Sequence, residues 1–259
     1  MADPIQIIRS RDHLKRVRGG RDGLYPFLEH NTWDMVQYFD DFLGATIRGD
    51  ATSPGIYEIN TGDDGTFTIL ADQTNGVAEL SASTGAGSSG EYGFIALPEL
   101  NWTAQQNAVL AVRVNIDAIT TVKMEIGFTD VTTDNGIVNS LASNTGTASD
   151  AACWVFDTSD NAYWQCFGVK AGTAATKIED QLAPVADTFE TMIVALRDTN
   201  ARFLRLDANG RLTYESAWMP DAITAADKLV PWVGVQLRGT ADRHMRIDFI
   251  DVRQRRTTS

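Results

Sequence analysis

Cysteine and histidine are scarce in this chain. Two cysteines, Cys153 and Cys166, in 259 residues exclude a disulfide scaffold and a four-cysteine zinc site. The three histidines, His13, His30 and His244, have no His-x-x-x-His spacing, so we expect no metal of that type and assign no cofactor. No apolar run approaches the ~20 residues of a membrane helix. The opening "MADPIQIIRSRDHLKRVRGG" lacks the apolar stretch of a secretory signal. These absences predict a protein folded in a cytoplasm, without membrane contact.

Catalytic motifs are missing too. There is no Gly-x-Ser-x-Gly and no phosphate-cradling glycine loop; Gly85, Gly87 and Gly90 in "STGAGSSGE" read as a flexible turn with no Lys-Ser/Thr after it. A sandwich-type glycosidase needs two carboxylates facing one groove. "FDDF" puts Asp40 and Asp41 on opposite faces of a strand, and "IDFID" does the same with Asp248 and Asp251 unless a bulge realigns them. The Glu-x-Asp-x-x-Glu pattern of sandwich-fold glucanases is absent. We therefore expect no enzyme. Asp- and Asn-rich loops at 61–65, 130–136 and 157–161 offer oxygens for calcium, but Asp and Asn in turns ordinarily cap their own backbone.

Basic side chains are outnumbered, 22 to 34, and concentrated at the ends. Residues 1–21 carry six of them (Arg9, Arg11, Lys15, Arg16, Arg18, Arg21) against Asp3 and Asp12, and residues 253–259 add three more. With the chain at −12, residues 22–252 hold −19. Such a body argues against nucleic acid as its partner, whereas its basic ends suit an acidic protein surface.

What is present is β pattern. "AVLAVRVNI" places Leu110, Val112, Val114 and Ile116 on one face at period two, and "KMEIGFTD" does so with Met124, Ile126 and Phe128. About a dozen such runs between residues 36 and 253, parted by Gly, Asn, Asp and Ser, predict one all-β antiparallel two-sheet jelly-roll sandwich. Two β domains divided near 143–150 are the alternative. "PDAITAAD" (220–227) reads as a helical turn. Asn209-Gly210 marks a hairpin turn. In "CWVFDTSDNAYWQCF" a symmetric register pairs Phe156 with Tyr163 and Trp154 with Gln165, and sets Cys153 opposite Cys166, as a buried reduced pair in a cytoplasm or, as the alternative, a disulfide. Trp33 and Trp102 are the expected exposed tryptophans, where sugar stacking is conceivable; the others fit core positions.

The ends follow from the same logic. Residues 1–35 form an arm whose apolar side chains have no partner element of their own, and 254–259 form a basic tail. "HMRIDFIDVRQRR" closes the chain as a strand with a phase slip at Phe249-Ile250, which a bulge or burial of both faces explains. We expect it to pair with "YFDDF" (38–42), bringing both basic ends to one side.

The order of "YFDDFLGATI", "AVLAVRVNIDAITTVKMEIGFTDVT", "CWVFDTSDNAYWQCFGVKAGT" and "HMRIDFIDVRQRR", over about residues 36–253, resembles virion proteins of tailed bacteriophages built on a concanavalin-like (laminin-G-like) jelly roll. Many such proteins have a tryptophan soon after "DDF", and "RGDATSPGIYEI" has none. The resemblance implies a capsid decoration (cement) or head-fibre protein on the virion exterior. Its implied partners are the phage major capsid protein and further copies of itself. The docking residues would be Arg16, Arg18, Arg21, Leu24, Tyr25, Phe27, Leu28 and Trp33 of the arm. A carbohydrate-binding, lectin-like module, or a tail or receptor-binding part, is the alternative, since the same sandwich hosts lectins.

Overall fold

The closing strand organises the molecule. A computed structural model describes residues 35–43, 57–62, 65–70, 76–97, 101–132, 136–175, 177–180 and 182–256. In chain order these form β1 (Met35–Asp40), β2 (Glu58–Thr61), β3 (Thr66–Ile69), β4 (Ala78–Ser81), β5 (Tyr92–Ala96), β6 (Val109–Ile116), β7 (Val122–Thr129), β8 (Val138–Ser140), β9 (Thr145–Gly146), β10 (Ala151–Asp157), β11 (Trp164–Lys170), β12 (Thr173–Ala174), β13 (Ile178–Glu179), β14 (Glu190–Arg197), β15 (Asn200–Leu206), β16 (Leu212–Glu215), β17 (Val230–Leu237) and β18 (His244–Arg255). Sheet I runs β16-β15-β14-β6-β18-β4-β3, with β1 also on β18; sheet II runs β12-β11-β10-β7-β17-β5-β2, with β13 also on β11. All pairings are antiparallel, and no helix occurs among the described residues. The region 220–227 makes tight turns instead of a helical one.

Period-two patterning puts one face of each sheet into a shared core. Leu110, Val112, Val114 and Ile116 of β6 meet Val122, Met124, Ile126 and Phe128 of β7, with Trp154, Trp164 and Phe203 beside them. Burying side chains of this size contributes ~1.5–3 kcal/mol each, before the cost of ordering them.

β18 pairs with β6 along most of its length, with β4 through His244–Ile247, and with β1 from Ile250 onward. The register shifts between Ile247 and Phe249, making Asp248 the extra residue of a bulge. Ile247 and Ile250, three apart, therefore both reach the core, and Phe249 faces outward against Phe39. The strand continues to Arg255, two residues past the expected boundary at 253.

"DDF" works as a strand stop. Asp40 accepts hydrogen bonds from the hydroxyls of Tyr57 (2.9 Å) and Tyr38 (3.2 Å) and from the backbone N–H of Phe42 (2.8 Å). Burial raises both phenols above their ordinary pKa. Phe42 adopts a positive φ of 53° and packs on Tyr57 and Phe67.

The β10–β11 hairpin corrects the cysteine expectation. Its register pairs Cys153 with Phe167 and Trp154 with Cys166, one residue away from the symmetric guess. One residue of slip reverses every side chain. Here it sends Trp154, Phe156 and Trp164 inward together, a gain the symmetric register lacks. Cys166 enters the main core, while Cys153 lies on the outer face; both are buried free thiols that do not face each other. At the β15–β16 turn only Gly210 takes a positive φ (74°), and Asp207 caps the N–H groups of Asn209 and Arg211.

Candidate functional site

Two surfaces qualify for inspection, and the chain treats them in opposite ways. The first is the outer face of sheet II. β7 turns Lys123, Glu125 and Gly127 to that face, beside Cys153 and Val155 of β10, Phe167 of β11, Trp232 and Gly234 of β17, and Phe94 of β5. A β-carbon at Gly234 would overlap the Phe94 ring, so glycine lets Phe94 lie flat and stack on Trp232 at 4.7 Å.

This face is covered by the chain itself. Residues 136–149, including β8 and β9, lie over it and seat Ile137, Val138, Leu141 and Ala148 against Phe94, Cys153, Phe167 and Trp232. The fastening is ionic. Glu125, fully buried, accepts from the backbone N–H of Ile137 (2.6 Å) and Val138 (2.8 Å), from Trp232 Nε1 (3.3 Å) and from Lys123 Nζ (2.7 Å). Lys123 Nζ also donates to the carbonyl of Val138 (2.5 Å). Gly136 takes a φ of 128°, and a β-carbon there would press on Lys123 Nζ. At the end of β10, Asp157 is held by Arg238 (Nε 2.9 Å, Nη2 2.6 Å) and by Ser159. Burial works to raise its pKa, but these hydrogen bonds prevail and hold it below the usual carboxylate range. Glu125 and Asp157 are thus both committed to structural partners.

The second surface is a cleft of about 440 Å³ where the chain ends meet. One wall is the segment 101–106, the other the end of β18, with Val36 of β1 at the side. The backbone of the first wall is pinned. Trp102 exchanges hydrogen bonds with Leu229 (3.1 and 2.8 Å), Gln105 N–H donates to Ala225 O (2.8 Å), and Ala108 N–H donates to Thr103 O (3.2 Å). Gln254 ties the walls together through Nε2 to Asn101 O (2.8 Å) and Oε1 to Thr103 N–H (3.1 Å). Arg255 N–H donates to Gln106 O (2.9 Å). Among the described residues, the side-chain amides of Asn101, Gln105 and Gln106 make no hydrogen bond. A rigid backbone therefore presents unspent donors and acceptors to an open volume.

The expected site residues fall as follows. Arg16, Arg18, Arg21, Leu24, Tyr25, Phe27, Leu28 and Trp33 lie outside the described residues. Next to them in sequence, Met35 O accepts from Arg256 Nε (3.2 Å), so β1 begins where β18 ends, as their antiparallel pairing requires. The bulge does bring Asp248 and Asp251 to one face, but Arg113 (2.6 Å) takes the first and Arg253 the second. Trp102, expected to be exposed, is 5% exposed, because its backbone bridge to Leu229 pulls it into the core. Among the described residues no cluster of His, Cys, Asp or Glu has the arrangement of a metal site.

Sequence reasoning missed both surfaces. Lys123 and Glu125 alternate with apolar residues in "VKMEIGFT", and nothing local says that a later segment covers them. The cleft had a faint signal, the amide-rich "NWTAQQN", but its second wall is some 150 positions away.

No family model matches the chain, and no curated protein matches it. Solved structures do. A protein of unknown function from Shewanella oneidensis MR-1 superposes with a TM-score of 0.63 at 15% identity, covering 87% of this chain and 89% of that one. Peanut lectin gives a TM-score of 0.56 at 11% identity, covering 87% of this chain and all of the lectin. A β-glucanase of Bacillus licheniformis gives 0.52 at 10%, covering 83% and 97%. At such identities the likeness speaks for the fold: this chain is a concanavalin-like antiparallel sandwich.

Proposed function

We propose that the protein is a non-catalytic carbohydrate-binding module that takes its glycan in the cleft at the chain ends. The observation that carries this reading is the set of unengaged amides of Asn101, Gln105 and Gln106 on a pinned backbone. Each amide offers a donor and an acceptor, which is what a sugar hydroxyl asks of a site. The fold shared with peanut lectin supports the same class. A hydrolytic reading gains nothing from Glu125 and Asp157, whose oxygens are already spent. The test is a glycan array probed with the full chain, followed by titration of any hit. Micromolar binding that weakens in Gln105→Ala supports the proposal; an array without hits overturns it.

A second reading, a decoration protein on the exterior of a tailed-phage virion, is favoured by the meeting of the two chain ends. β1 begins beside the end of β18, and the sequence on both sides of that point is basic in an otherwise acidic chain, a charge that suits docking on an acidic lattice. On this reading the partner is the major capsid protein and the protein assembles as a symmetric homo-oligomer. Co-sedimentation of full-length and 1–34-deleted protein with undecorated capsids tests it. Undiminished decoration by the deleted protein would refute docking through the arm.

A further inference from the structure

We infer that the cleft selects sugars that bear a carboxylate over their neutral counterparts; this rests on the carbohydrate-binding reading and names its ligand class. The chain has 34 acidic side chains and a net charge of −12, yet the described residues that line the cleft include no Asp or Glu and do include two arginines. Arg253, just before them, is already matched to Asp251. Arg256 spends only Nε, on Met35 O at 3.2 Å, and among the described residues no hydrogen bond or ion pair engages its two terminal nitrogens. A guanidinium fork with both ends open is the side chain best suited to a planar carboxylate, which it binds through two parallel hydrogen bonds. Arg255 lines the same volume, fixed by its N–H to Gln106 O.

The division of labour is plain. Gln105 and Gln106 read hydroxyls, the exposed Val36 offers an apolar contact for the carbon-bound hydrogens of a sugar ring, and Arg256 reads charge. Phosphate or sulfate esters carry the same sign, but a flat two-oxygen group matches a single fork more closely than a tetrahedral one does. A uronic acid is the simplest ligand with all three features.

Isothermal titration of the full-length protein with a galacturonic acid trimer and with the neutral galactose trimer tests this, because the two differ in little but the carboxylates. The acidic trimer is expected to bind about tenfold tighter at low salt, the factor one charge-assisted pair supplies. Arg256→Gln should remove that preference while neutral binding persists, and Gln105→Ala should weaken both trimers alike. An unchanged melting temperature checks that each variant is folded. Equal affinity for the two trimers, or a preference that survives Arg256→Gln, overturns the inference and leaves the carbohydrate reading standing. Binding of neither trimer, together with an empty glycan array, removes both.

Discussion

On the outer face of sheet II, polar groups are consumed by the chain. Lys123 and Glu125 spend their charges on each other and on the backbone of Ile137 and Val138, and an apolar layer closes over them. In the cleft beside β18 it is the backbone that is consumed, while amides and a guanidinium face open space. Buried charge is tolerable only when fully partnered, and a binding group is useful only when it is not. Similar chemistry thus becomes a fastening in one place and is left unengaged in the other.

The comparison breaks most severely at Glu125. Glu125→Ala strands the Lys123 ammonium and orphans two backbone N–H groups, so we expect a loss of about 3–5 kcal/mol in urea denaturation. The sealed face should open with it. Burial pushes the thiols of Cys153 and Cys166 well above their ordinary pKa, and native protein should resist maleimide at both. In Glu125→Ala, mass spectrometry should find Cys153 labelled and Cys166, in the main core, still protected. Equal labelling of both would mean general unfolding and not an opened face.

Next in size, Asp157→Asn should cost about 1.5–3 kcal/mol at pH 7, the worth of hydrogen bonds to a charged group. Its pKa lies lower in the folded than in the unfolded chain, so the contribution is complete above the unfolded value of about 4. It is lost as pH falls through the folded value, and the variant should lose less stability on acidification than the parent. Glu190 works the other way. Burial raises its pKa despite Arg205 at 2.6 Å, so its stabilising contribution is present below the unfolded value and declines as pH rises through the folded one. Glu190→Gln should therefore make stability fall more steeply on acidification than in the parent, as followed by melting temperature from pH 7 to 4.

Gly234→Ala tests the fit beneath the cover. Its methyl group meets the Phe94 ring, and an overpacking penalty of about 1–3 kcal/mol is expected in the same denaturation assay. At the small end, Asn101→Ala and Gln105→Ala should alter stability by no more than about 0.5 kcal/mol, because their side chains hold nothing in place. A larger loss would show that the cleft's amides are structural.

Much of the sandwich can be read directly along the chain. The alternation in β6 and β7, the hairpin at Asn209-Gly210, the bulge near Phe249 and the pairing of the first and last strands all follow from period, turn chemistry and edge closure. The misreadings share a cause. A symmetric turn, the simplest local rule, sets the cysteines opposite each other, whereas the register answers to three aromatic side chains that share one core. Trp102 reads as exposed because its partner Leu229 is remote in sequence.

Local periodicity and composition by themselves establish an antiparallel β sandwich, an acidic body and two basic ends, since each is a property of neighbouring residues. Which face of β10 carries Cys153, that residues 136–149 seal sheet II, and that residues 101–106 meet 254–256 in a cleft are settled only once distant segments pack. Those outcomes depend on which long-range pairing buries the most apolar surface without leaving a charge alone, and no window along the chain contains both partners.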